Sequence, residues 1–247
     1  MITTFSQKLL AAFAALAVLT PVAADAQIRR VSGSDTRQSF GVNLGAFFPR
    51  SEDSRVDGDV LVENRSTFLF DIAEFRGFTF GAEYLVGLTE HLEAGVDVGY
   101  YQKSVPSIYA DVVHEDGREI EQDFKLRIIP VTGSIRFVPT GRYSAVQPYI
   151  GIGAGVLNWR YSETGEFVDF APFPPEIFRN RYIASGTEVA PVVIGGLRFL
   201  GADVWTAGGE VRWQRADADT GGEEAGFFGD RIDLGGWTTT FTIHFRF

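Results

Sequence analysis

The fold is decided by residues 237–247, which read WTTTFTIHFRF. Trp237, Phe241, Ile243, Phe245 and Phe247 fall on one face of an extended strand, because side chains in a strand alternate with period two. Thr238, Thr240, Thr242, His244 and Arg246 fall on the other. The stretch just before it repeats the scheme: Trp205, Ala207, Val211 and Trp213 oppose Thr206, Glu210, Arg212 and Gln214. A chain built of such two-faced strands must put its apolar faces on one side of a sheet and its polar faces on the other.

Working outward, the same period appears in six more places. Strands are predicted at about 38–48, 77–88, 92–100, 124–138, 146–161 and 187–199. The fourth is the least regular. Its apolar phase slips near Ile128-Ile129-Pro130, which predicts a bulge or kink. Long connections are predicted at 49–76, around the Glu115-Asp116-Gly117 turn, at 162–186 and at 216–231, and short ones at 89–91, 139–145 and 200–203. The hairpin at Asp116-Gly117 should carry the third and fourth strands beyond the apolar zone. Eight strands with alternating long and short connections describe an all-β, up-and-down antiparallel barrel with both ends of the chain on one side.

Composition narrows the setting. Leu9 to Leu19 is apolar, Lys8 precedes it, and Pro21 and Ala24-Asp25-Ala26 follow, the pattern of a cleavable export signal over residues 1–26. The run is too short for a spanning helix. Residues 27–37 read as a flexible lead-in, and 38–247 as the barrel. The chain has no cysteine, so disulfides do not hold it together. A net charge of −10 argues against a nucleic-acid partner, which needs basic patches.

Alternation alone does not say which face points inward, since a soluble lipocalin-type barrel lines its interior with the apolar face. Three observations favour a transmembrane barrel. The polar face is rich in glycine (Gly41, Gly45, Gly81, Gly95, Gly151, Gly153), as suits a narrow interior and not a solvated surface. Trp159, Trp205, Trp213 and Trp237 all lie near strand ends, where interfacial aromatics sit. Finally, Trp205 and Trp213 are separated by a contour of about 27 Å, which a tilt of ~40° projects to roughly 20 Å, near the height of an apolar band.

With its export signal, strand rhythm and terminal aromatic Phe247, the chain resembles the small bacterial outer-membrane barrels of the OmpA/OmpX type over nearly all its mature length. No periplasmic domain is expected after the barrel, a departure from OmpA. The resemblance implies a Gram-negative outer membrane, a surrounding of lipid and lipopolysaccharide, and a monomer. It also implies recognition of the last strand (Phe241, Ile243, Phe245, Phe247) by the barrel-assembly machinery.

Glu83, Glu93, Asp97, Arg198, Glu210 and Arg212 fall on the inner face, with Arg127 and Arg136 left open by the phase slip. Buried charges persist only when paired, so these predict an internal salt-bridge network. The competing reading is a gated polar pathway. No catalytic constellation is evident. His91 and His244 lie toward the turn end, His114 lies at a loop tip, and no Ser–His–acid spacing occurs. The loop Asp217–Glu224 fails the calcium-loop template, having Gly221 at its fifth position, and no metal or cofactor is expected. The aromatic loop with Phe167, Phe170, Phe173 and Phe178 is a candidate binding surface. The functional expectation is a non-enzymatic outer-membrane barrel with long acidic loops and a structural or surface-interaction role. The alternative is a narrow channel for small or amphipathic solutes.

Overall fold

The computed structural model describes residues 37–202 and 204–247. The predicted signal and all of the lead-in but Arg37 lie outside them. The principal strands are β1 (Gln38–Pro49), β2 (Gly77–Gly87), β3 (Leu92–Val113), β4 (Glu119–Phe137), β5 (Val146–Asp169), β6 (Glu176–Ala202), β7 (Trp205–Gln214) and β8 (Gly236–Arg246). Each pairs antiparallel with its neighbours in sequence, and β8 pairs with β1, closing the ring. From Gln38 the register passes through Val86, Ala94, Ile135, Ile152, Val193, Trp213 and Trp237. It returns to β1 at Phe48, ten residues along. A stagger of that size in eight strands tilts them by about 40°.

The outward faces form a continuous apolar belt. Phe40, Val42, Leu44, Phe80, Val98, Ile135, Ile152, Val193, Phe241 and Phe245 are all exposed. In water such a surface would be an aggregation hazard; in hydrocarbon it is the wall of a membrane-spanning barrel. On β3–β6 the belt ends at Val98, Val131, Val156 and Val189, which are partners along one register row that the strand tilt inclines to the membrane plane.

These four strands continue well past the belt, and here the structure corrects the sequence reading twice. The segment 162–186 is a loop only over 170–175: β5 and β6 stay paired from Val146↔Phe199 to Asp169↔Glu176. Nor does β4 bulge at Ile128–Pro130. Its register against β3 is the same at Val98↔Val131 and at Tyr101↔Ile128, and the irregularity lies at Ile108/Val113. Pro130 has no N–H to give, so the ladder skips it without slipping. What changes is the environment. Below the margin the outside is hydrocarbon and the inside polar; above it the outside is water and the inside an apolar core, so the pattern inverts.

That core fills the loop end of the barrel. Tyr101, Val105, Phe124, Leu126, Ile128, Leu157 and Tyr161 line the inner wall, and Val60, Leu61, Phe68, Ile72 and Phe75 from the first connection pack against them. Phe227, Ile232 and Leu234 enter from the last connection. A short helix, α1 (Val60–Asn64), starts at Asp59, whose carboxylate accepts from the Leu61 and Val62 amides. Residues 217–219 and 231–233 form a small hairpin. The two long connections thus fold inward as a cap.

Candidate functional site

Below the cap the bore is filled by charge. Glu83 accepts from Arg136 and lies against Nε2 of His244. Arg136 Nη2 also reaches Glu210 at 3.2 Å. Glu210 takes Nη2 of Arg212 at 3.1 Å and the Tyr149 hydroxyl at 3.0 Å. Arg212 ends the chain of contacts on Asp97. Nearer the turn end, Arg198 donates to Glu93 at 2.6 Å, with Arg142 Nε 3.8 Å away. The two groups meet at Tyr149, whose ring lies 5.3 Å from the Arg136 guanidinium and 4.8 Å from that of Arg198.

Glycine makes the room. A β-carbon on Gly41 would sit 2.2 Å from the His244 ring, and one on Gly196 would sit 2.4 Å from the Tyr149 ring. Between network and cap remains a cavity of about 40 Å³, lined by Asn43, Thr79, Asp97, Glu210, Arg212 and Gln214 among others. That is space for a water molecule or two.

The structure brings Glu83, Asp97, Glu210 and Arg212 into one cluster and Glu93 and Arg198 into its neighbour. Arg136, left open by the supposed phase slip, is the fully buried centre. A strict count of two back from Val138 would have placed it with Ser134 and Thr132. Tyr149 was missed, although it shares parity with Gly151 and Gly153. Arg127 faces outward and does not join. Among the tryptophans, Trp205 and Trp237 are exposed on the belt, and Trp213, half-buried, is the register partner of Trp237. Trp159 is a correction. It is buried in the cap core at 1% exposure, because it shares parity with Leu157 and Gly155, not with Val156.

A second polar cluster ties the cap down. Arg55 donates twice to Asp59 at 2.9 Å, and its Nη2 also reaches the Asp233 carbonyl at 2.8 Å. The Asp233 amide donates to Asp59 at 2.6 Å. Asn64 donates to Glu163 on β5 at 2.7 Å, and the Tyr161 hydroxyl donates to the same oxygen at 3.0 Å. Glu163 lies above the belt, seven residues past Val156 on β5. Burial among apolar side chains pushes its carboxyl up to about 7, outweighing those two hydrogen bonds. The folded value exceeds the ordinary 4.5, so the stabilisation is complete below about 4.5 and is lost as pH rises to about 7. The loss amounts to roughly 3 kcal/mol of cap closure. Hydrogen exchange of the α1 amides, corrected for intrinsic rate, should therefore quicken across that window, and Glu163→Gln should flatten the profile. An unchanged profile in the variant would refute the assignment.

No protein-family model and no curated protein matches the chain. Solved structures similar to it are small outer-membrane barrels. OprG of Pseudomonas aeruginosa is 12% identical, with 86% of this chain and 97% of that one aligned at a TM-score of 0.46. Neisserial surface protein A is 11% identical over 87% and 100% of the two chains, at 0.43. The N-terminal barrel of Pseudomonas aeruginosa OprF is 12% identical over 86% and 98%, at 0.41. At these identities and scores the likeness goes no further than the barrel layout, which stands on its own register.

Proposed function

We propose that this chain is a non-enzymatic barrel of the bacterial outer membrane, with its turn end toward the periplasm and its cap outside. Its bore acts as a sealed structural wall, and the cap presents a rigid surface to the exterior. The observation that carries this reading is the double closure of the bore, by the Glu83–Arg136–Glu210–Arg212–Asp97 network and by the apolar cap above it. The alternative, a solute channel, needs a continuous lumen where the cavity measures about 40 Å³. Against catalysis, each histidine is engaged structurally: His91 Nδ1 donates to the Val138 carbonyl at 3.0 Å, His114 contacts Glu166 at 2.8 Å, and His244 contacts Glu83.

Purified protein in planar bilayers should give no stepwise conductance. Discrete openings of the intact chain would overturn the sealed-wall reading and favour the channel. For assembly, Phe247 lies exposed on the belt while its backbone pairs with Gln38 at 2.9 and 3.1 Å. Deleting it removes one apolar side chain, about 1.5–3 kcal/mol of burial, which a closed ladder should survive. We expect the deletion to fold in detergent yet to fall in abundance in outer-membrane fractions. Normal abundance would mean that the assembly machinery does not read this residue.

A further inference from the structure

Above the valine row, the outward face of β3–β6 changes character within two steps of the register. The first step is mixed, with Ile129 beside Asn158 and Thr187. The second runs Gln102, Arg127, Arg160, Ser185, each the register partner of the next. The third runs Ser104, Lys125, Ser162 and Ile183, the last exposed and apolar. Two rows thus hold three cations and no acid, in a chain whose net charge is −10. Among the described residues, no carboxylate pairs with Arg127, Arg160 or Lys125. Asp123, next along the same face, accepts from Ser104 at 3.0 Å instead.

Arg127 and Arg160 stand directly opposite each other across the β4–β5 ladder. Like charges so placed repel and destabilise the pair unless an anion lies between them. Both are half-buried, and Nε of Arg127 is buried without a hydrogen-bond partner. Four residues of tilted strand separate this row from the valines, a rise of about 10 Å. That height takes the guanidinium groups out of the hydrocarbon and into the headgroup layer.

We propose that Arg127 and Arg160, with Lys125 beside them, bind the phosphate of a lipid headgroup in the leaflet at the cap end. This inference rests on the membrane reading above. Two guanidinium forks across a ladder match the oxygens of a phosphate, which each can take bidentately. Gln102 and Ser185 flank them as neutral partners. A lipid is the fitting source because its acyl chains would lie along Val98, Val131, Val156 and Val189 directly beneath.

The test uses the full mature chain in phosphatidylcholine vesicles containing a minor fraction of diphosphoryl lipid A, followed by extraction in mild detergent and native mass spectrometry of retained lipid. The intact protein should retain lipid A over phosphatidylcholine. Retention should fall about tenfold in Arg127→Gln/Arg160→Gln, consistent with the loss of two charge-assisted contacts. Arg118→Gln/Arg179→Gln, which removes the same two charges from exposed positions near the hairpin tips, should retain it, as should Arg127→Lys/Arg160→Lys at least in part. Inorganic phosphate should not displace the lipid. Heat-modifiable mobility establishes that each variant is folded. Equal retention in the double glutamine variant would overturn the proposal, and so would displacement by inorganic phosphate, which would mark a site for free anions. Failure of the intact chain to enter vesicles would sink the membrane reading itself, whereas insertion without lipid A selectivity would sink only this inference.

Discussion

Replacing Arg136 with methionine should destabilise the barrel by about 3–5 kcal/mol, the usual consequence of removing one partner from a buried ion pair. Arg136 is fully buried between Glu83 and Glu210, and the Tyr149 ring lies against its guanidinium. Without it Glu83 keeps only His244, and Glu210 keeps Arg212 and Tyr149. One carboxylate is then left nearly uncompensated in a bore too narrow to hydrate it. The comparison that isolates the electrostatic part is Glu83→Leu on top of Arg136→Met. Removing both charges also removes the unpaired carboxylate, so the double variant should be closer to the parent than the single one. Urea unfolding in lipid vesicles would measure both. A single variant within about 1 kcal/mol of the parent would mean the network is spacer, not scaffold.

Which features the sequence made readable follows from one physical fact: period two reports a difference between two sides of a sheet, not which side is which. Where the outside is hydrocarbon and the inside polar, as at Phe40–Phe48 and Trp237–Phe247, strands and faces could be read residue by residue. Glu83, Glu93, Asp97, Arg198, Glu210 and Arg212 were therefore placed inside from parity alone, and each is buried there. Above the valine row the same strands have water outside and apolar side chains within. Phe124, Leu126 and Ile128 share the parity of Thr132, Ser134 and Arg136, yet they look like a continuation of the lipid face of Ile129 and Val131. That resemblance produced the supposed phase slip, hid Arg136, and put Trp159 at the membrane interface. It also made a loop of 162–186, where Glu163 and Phe167 point into the cap.

The cap itself was out of reach for a different reason. Its contacts join residues far apart in the chain, such as Arg55 with Asp233 and Asn64 with Glu163. No local pattern encodes such a pairing. The helix start at Asp59 was visible in principle, as an aspartate before an apolar run. Its second role, accepting from the Asp233 amide, was not. The sequence reading had long acidic loops at both ends of this pairing, whereas Asp59 and Asp233 are both buried.

The assignment of faces makes its sharpest demand at Val96. This residue is exposed on the belt, midway between Leu92 and Tyr100 on β3, with Tyr84 and Gly133 as register partners. Val96→Arg should cost about 2–4 kcal/mol, the value for a cation near the midplane of a transmembrane barrel. Gly133 leaves open space beside it, with no heavy atom within 4 Å of an added β-carbon, so steric relief is available but no polar partner is. The valine row that ends the belt lies only about 5 Å above Val96, within reach of an arginine side chain, so part of the cost can be recovered and the lower part of that range is expected. Gln102→Arg lies three outward positions higher on the same strand, at the level of Arg127, and should cost no more than about 1 kcal/mol. Gly95→Ser probes the opposite face. Its new β-carbon would meet Leu85 Cδ2 at 2.6 Å and Ser134 Oγ at 3.2 Å, the tip of a flexible side chain and a hydroxyl. A cost of about 1–2 kcal/mol from crowding is expected there. Urea titration of all three in vesicles gives the order Val96→Arg, Gly95→Ser, Gln102→Arg. Should Val96→Arg be tolerated as well as Gln102→Arg, the outward face at mid-strand is not in hydrocarbon, and the valine row marks no boundary.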